Sequence, residues 1–294
     1  MTAFRGLLLL LVIALPLAGQ ARPGAALLEA TPDQFTLFEN INLRYKVLGE
    51  GAHTTVLVHG GACDLTFWEL QLAELQKLGR VVLLDLPGHG QSDKPEQYRY
   101  AMSKHAAAVK AVMDAVGVDK ASLVGHSMGA PVLRQFYRAY PDRVVSLVVA
   151  DGLLQPIDYG FGNKFFTWLL KSPLYDLIWP SVVNGFVNDN TPDWGREKVV
   201  TTMGSAPQYV ASTFFEEMLH AEVQAPLTFN VPVLAVLAEA PTWTEEYLTT
   251  LNSLGPDVDV VIVKDVSHFL MLDKPQLFNQ YLTGFLSKSA IQIQ

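Results

Sequence analysis

Ser127 stands between two glycines in Gly125-His126-Ser127-Met128-Gly129, two residues from each. A short apolar run over 121–124 leads into this stretch. Beyond Pro131, the residues Val132, Leu133, Phe136 and Tyr137 fall on one face of a 3.6-residue period. The hydroxyl therefore belongs to the turn between a strand and a helix. Glycines, lacking Cβ atoms, let the two elements close tightly around it. A helix that begins there turns its free N–H groups and positive end toward charge developing at the serine. A serine hydroxyl attacks a carbonyl carbon only when a base removes its proton. His268 is the best-placed base, because it follows the apolar run 258–263 in Ser267-His268-Phe269-Leu270. An ordinary histidine pKa near ~6.5 suits proton transfer at neutral pH. His126 adjoins the serine, where neighbouring side chains are expected to point apart. His53, His105 and His220 read as surface or helix residues. Cys63, the one cysteine, has no base placed for it and reads as a small packed side chain.

The elements that must position these groups alternate along the chain. Strands are expected over 34–39 and 41–48, joined by a tight turn at Asn40, and over 54–58, 81–84, 121–124, 144–150, 231–237 and 258–263. Helices are expected over 65–78, 103–116, from the serine to Tyr140, and over 244–254 and 273–288, while residues 22–33 read as loose. Apolar strands without polar alternation, interleaved with amphipathic helices, specify an α/β fold. Its sheet is mostly parallel, eight-stranded and twisted, with helices on both faces. Functional groups in such sheets gather beyond the carboxyl ends of the strands, where Gly61, Asp85, Ser127 and Asp151 lie. The alternation stops over 152–230. That stretch is rich in aromatic residues and is expected to be helical near 163–171, 174–187, 194–204 and 207–221. It reads as an inserted helical cap whose rings line a pocket, between a first core part at 22–151 and a second at 231–294.

Composition narrows the function. Half of the 294 residues are hydrophobic and 17% are charged, enough for a well-filled core. The formal net charge is -8 without a dense Lys/Arg run, which argues against nucleic acid and anionic membrane surfaces as partners. Arg5, the apolar run 6–18 and the small residues around Ala21 read as a secretory signal peptide over 1–21, directing the chain to the periplasm or the exterior. The apolar run is shorter than the ~20 residues of a spanning helix, and no later segment is apolar for long enough, so no stable membrane span is expected after signal removal. Zinc-site and phosphate-loop patterns are missing from the sequence, so no metal or other cofactor is expected.

Gly125-His126-Ser127-Met128-Gly129 resembles the nucleophile elbow of the α/β-hydrolase superfamily. His59-Gly60-Gly61 resembles its oxyanion loop, the stretch from Asp85 to Asp93 its turn after the fourth strand, and Ser267-His268-Phe269-Leu270 its histidine loop. The resemblance covers nearly all of residues 34–288, with four motifs in order. It implies a backbone oxyanion hole made by Met128 and by Gly61, with Ala62 as the alternative second donor. It implies structural roles for His59 and His89. It also implies an acid after the seventh strand, but in Ala238-Glu239-Ala240-Pro241 the expected aspartate position holds proline. Two carboxylates preserve the chain order serine, acid, histidine: Asp151 at the tip of the sixth strand, which is preferred, and Glu239. A serine at the nucleophile position argues against relatives that attack through a carboxylate, such as haloalkane dehalogenases and epoxide hydrolases. The expectation is an exported serine hydrolase of esters or lactones with an apolar part. The alternatives are a perhydrolase or carbon–carbon hydrolase on the same scaffold, and a ligand-binding protein without catalysis. Oligomeric state is not legible.

Overall fold

The computed structural model describes residues 23–155, 161–218 and 220–291, so the signal segment expected at 1–21 lies outside the described residues. The chain opens on helix α1 (Pro23–Ala30) and the hairpin of β1 (Gln34–Phe38) and β2 (Ile41–Leu48). The hairpin turn has φ of 47° at Glu39 and 63° at Asn40, the two left-handed residues that a twist-matched two-residue turn requires. Then follow β3 (Thr54–Val58), a 3₁₀ segment (Leu65–Gln71), α2 (Leu72–Leu75), β4 (Arg80–Leu84), α3 (Met102–Ala115), β5 (Ala121–His126), α4 (Gly129–Ala139) and β6 (Val144–Ala150). Five helices come next: α5 (Phe161–Leu170), α6 (Tyr175–Asn184), α7 (Asp193–Gly204), α8 (Gln208–Met218) and α9 (Ala221–Gln224). The chain closes with β7 (Val233–Ala238), α10 (Glu245–Asn252), β8 (Val258–Val263), α11 (Leu270–Asp273) and α12 (Pro275–Ile291).

The eight strands form one sheet in the order β1-β2-β4-β3-β5-β6-β7-β8. Pairing from β4 through β8 is parallel, whereas β1–β2 and β2–β4 are antiparallel. Every residue of β3, β5 and β7 is buried, so both faces of the central sheet are covered. Helices α3 and α4 pack on each other, α3 against β1 and β2 and α4 against β5 and β6. Helix α12 packs with α2 and lies against β6 and β7. Among the described residues no helix is long and apolar enough to cross a membrane.

Two local expectations are corrected. Residues 22–33 are not loose throughout. Helix α1 packs on the 3₁₀ segment with Leu28 buried, and the Thr31 hydroxyl donates to the Leu27 carbonyl at 2.7 Å. The stretch 65–78 is not one amphipathic helix. Asp64 caps its start by accepting from the Thr66 amide at 2.9 Å, and Asp85 accepts from the Leu65 amide at 2.8 Å. The three-residue repeat that results puts Leu65, Trp68 and Gln71 in one fully buried row, and only four residues of α-helix follow.

Candidate active site

Strand register brings the site together. His126 of β5 pairs with Ala150 of β6, so Ser127 and Asp151 leave the sheet side by side. Val58 of β3 pairs with Gly125, which sets the His59-Gly60-Gly61 loop on the other flank of the serine. Ala238 of β7 pairs with Val263 of β8, five residues before His268.

The elbow is as tight as its glycines allow. Ser127 has φ 49°, a left-handed conformation that costs a non-glycine residue about 1–3 kcal/mol and persists only when its surroundings enforce it. Its amide donates to the Ala150 carbonyl at 3.1 Å. A Cβ at Gly125 would lie 2.8 Å from the carbonyl carbon of Gly129, and one at Gly129 would lie 2.8 Å from the carbonyl oxygen of Val58. At Gly152, beside Asp151, a Cβ would come within 2.7 Å of the Ser127 carbonyl oxygen. Strand, helix and neighbouring strand approach too closely for any side chain at these three positions.

Asp151 also has a left-handed φ, 42°, and its carboxylate is doubly held. Oδ1 accepts from the Ala238 amide at 2.8 Å and Oδ2 lies 2.6 Å from Nδ1 of His268. The carboxylate is nearly buried, at 7% exposure, where a charge-assisted hydrogen bond is strong. With Nδ1–H donated to Asp151, Nε2 of His268 is the nitrogen available to a group in the cavity. The histidine loop is fixed from behind, since the Ser267 amide donates to Asp273 Oδ2 at 2.5 Å and the Phe269 amide donates to Ser267 Oγ at 3.1 Å. Glu239, the rival carboxylate, is exposed and lies 3.5 Å from Lys264.

Gly61 lines the same cavity as Ser127, and Met128, the residue after the serine, caps the start of α4. Neither amide donates to a backbone carbonyl within the described turns and loops. Ala62, the alternative donor, has φ 56°. Gly60 and Gly61 leave no room for side chains. A Cβ at Gly60 would meet His126 Nδ1 at 2.7 Å, and one at Gly61 would meet the Phe214 ring at 2.8 Å.

His126 corrects an expectation. Its side chain does not point away from the site. Nε2 lies 2.9 Å from the carbonyl oxygen of His268, and the two imidazole centroids are 4.7 Å apart. Side-chain alternation along a strand predicts opposite faces for consecutive residues, but the left-handed φ at Ser127 breaks that alternation. Burial, together with the neighbouring His268, holds its pKa well below the histidine range, so its imidazole is neutral. His105 lies on helix α3, as one of the two readings has it, and is buried, while His53 is buried rather than at the surface. His59 accepts from the Leu86 amide through Nε2 at 3.0 Å and donates from Nδ1 to the Gly60 carbonyl at 2.7 Å, bracing the oxyanion loop. Asp85, fully buried, accepts from the amides of Leu65 and Gln91 and from Arg44. Cys63 is buried, and burial pushes its thiol pKa well up, so it presents no thiolate.

A cavity of about 440 Å³ opens over Ser127, Asp151 and His268, a size typical of small-molecule sites. Its roof comes from the helices between β6 and β7, with Phe166, Phe186, Phe214 and Phe215, and its side from Trp243 and Phe269. The Phe186 ring lies 5.1 Å from that of His268.

The sequence profile described as alpha/beta hydrolase fold matches residues 55–247. The dihydrolipoyllysine-residue acetyltransferase component of the acetoin cleaving system of Cupriavidus necator is 39% identical over 127 residues, 43% of this chain and 33% of that one. The 2-hydroxy-6-oxononadienedioate/2-hydroxy-6-oxononatrienedioate hydrolase 2 of Pseudomonas putida is 37% identical over 163 residues, 51% of this chain and 55% of that one. The chain thus spans between a third and rather more than half of these two relatives. The malate-bound structure of a thermophilic esterase from Thermogutta terrifontis superposes with a TM-score of 0.76 at 22% identity, over 88% of this chain and 99% of that one.

Proposed function

This chain belongs to the α/β-hydrolase fold family, and within it we propose a serine hydrolase that cleaves carboxylic esters or lactones with an apolar part. The observation that carries this reading is the 2.6 Å contact of Asp151 with His268 at the cavity that also contains Ser127. His268 Nε2 takes the proton as Ser127 Oγ attacks the carbonyl carbon. The oxyanion that forms accepts from the amides of Met128 and Gly61, each worth roughly 3–4 kcal/mol to the transition state. The protonated imidazole, stabilised by Asp151, returns the proton to the departing alcohol oxygen. Water, deprotonated by the same histidine, then releases the acid from the acyl-enzyme. No step calls for a cofactor. We also propose that segment 1–21 directs export to the periplasm or beyond.

Carbon–carbon bond hydrolysis is the second reading, favoured by the likeness to the Pseudomonas putida hydrolase. Labelling with a fluorophosphonate, followed by a panel of esters, lactones and vinylogous diketones, separates the readings. Attachment of the probe to wild type and its loss in Ser127→Ala are expected, with turnover of esters. An unlabelled folded protein sinks the serine-hydrolase reading, and turnover confined to diketones transfers the assignment to the second one.

A further inference from the structure

Resting on that reading, we infer that the site takes only substrates uncharged on both sides of the scissile bond, and rejects esters that carry a carboxylate or phosphate within the cavity. Charge on the cavity wall is the basis. Among the described lining residues there is no lysine or arginine. The ionisable groups there are Asp151, His268, His126 and Cys63, and burial keeps the last two neutral. The remaining polar side chains are the uncharged Thr167, Gln224 and Thr242.

Arginines and lysines of the surrounding elements are engaged or exposed, Lys164 of α5 being exposed and absent from the lining. Arg134 is fully buried and gives Nε, Nη1 and Nη2 to the carbonyls of Val223, Leu154 and Ala225. Arg99 pairs with Glu217, and Lys171 with Glu216. A substrate anion buried here would lose its hydration without gaining a counter-charge, a penalty of several kcal/mol, and would face the Asp151 carboxylate besides. Neutral alkyl and aromatic groups lose nothing comparable against Phe166, Phe186, Phe214, Phe215 and Trp243.

The test compares 4-nitrophenyl esters built on one six-carbon acyl chain: hexanoate, the adipate monoester with a free ω-carboxylate, and the same adipate capped as its methyl ester. The expected result is a kcat/KM for the carboxylate more than tenfold below that of the methyl-capped ester. A ratio within tenfold overturns the inference. Gln224→Arg and Thr242→Lys each add a cation to the wall. Narrowing of the gap by either is expected, and a gap that neither narrows assigns the discrimination to shape and overturns the charge argument. Should wild type turn over none of the three, the ester-hydrolase reading fails by itself. The inference is then decided by calorimetric binding of methyl hexanoate against monomethyl adipate, with the same tenfold dividing line.

Discussion

Oδ2 of Asp151 lies 2.6 Å from Nδ1 of His268, although 117 residues separate them. Asp151, the acid of the proposed mechanism, stands at the end of β6, one strand from the serine, while Pro241 occupies the place after β7 where the family resemblance implies an aspartate. Asp151→Asn keeps the shape but offers the imidazole the wrong partner. It is expected to lower kcat on a short-chain ester by ~10²–10⁴-fold, while Glu239→Gln changes it less than twofold. Steady-state kinetics of the two variants check this, and the reverse pattern would transfer the role to Glu239.

Gly61 is predicted to be coupled to the cap. A Cβ there meets the Phe214 ring at 2.8 Å, so Gly61→Ala leaves the oxyanion amide in the chain but displaces it or the ring. A loss in kcat/KM of about tenfold or more is expected, since small displacements of aligned groups are costly. Adding Phe214→Leu should recover part of it. A double variant no better than the single one would refute the coupling.

Arg134 ties both ends of the helical segment between β6 and β7 to α4. It bonds the Leu154 carbonyl just past β6 and those of Val223 and Ala225 at the return, within 3.2 Å. Burial pushes the guanidinium pKa down to about 10, which leaves it charged at neutral pH. Arg134→Met strands the buried carbonyls of Val223 and Leu154, each costing about 1–3 kcal/mol when unpaired, whereas that of Ala225 keeps its bond from Arg138. The midpoint of thermal unfolding should fall by several degrees and KM should rise more than kcat falls. Unchanged values for both would mean that the bonds hold nothing.

Acid should destabilise the fold through its neutral histidines. His59, His89 and His105 form a buried chain with ring centroids 5.1 and 5.7 Å apart. Burial depresses all three pKa values, that of His105 to about 3. The unfolded chain protonates these residues as pH falls below ~6.5 while the folded one does not. The stabilisation is therefore complete above ~6.5 and is lost toward about 3, at about 1.4 kcal/mol per pH unit for each histidine. Thermal melts from pH 7 to 4.5 should show this decline, with a shallower slope in His105→Phe. An identical slope in the variant would remove His105 from the account.

Most of the fold was legible from short-range pattern. The strands β3 to β8 are runs of apolar residues, and the helices keep a 3.6-residue period, so local chemistry alone defines them. The candidates Ser127 and His268 stood out for the same reason, because each sits in a motif a few residues long. The glycines around the serine are required by contacts between elements, yet their spacing is local and therefore visible in one dimension.

Long-range placement was not legible. Nothing local distinguishes Asp151 from Glu239, since both follow an apolar strand. Register decides between them: Ala150 pairs with His126, which sets Asp151 beside the serine, whereas Glu239 turns out toward Lys264. His126 escaped for a related reason, because its direction depends on a left-handed residue that the sequence does not announce. The charge character of the cavity likewise belongs to the tertiary structure, which decides which cations are engaged elsewhere and which side chains face the substrate. The sequence by itself determined the fold class and pointed to the proposed nucleophile and base, through patterns that neighbouring residues enforce on one another. The contact of Asp151 with His268, the inward turn of His126 and a cavity lining without lysine or arginine among the described residues arose only when strand pairing and the helices over the sheet brought distant residues together.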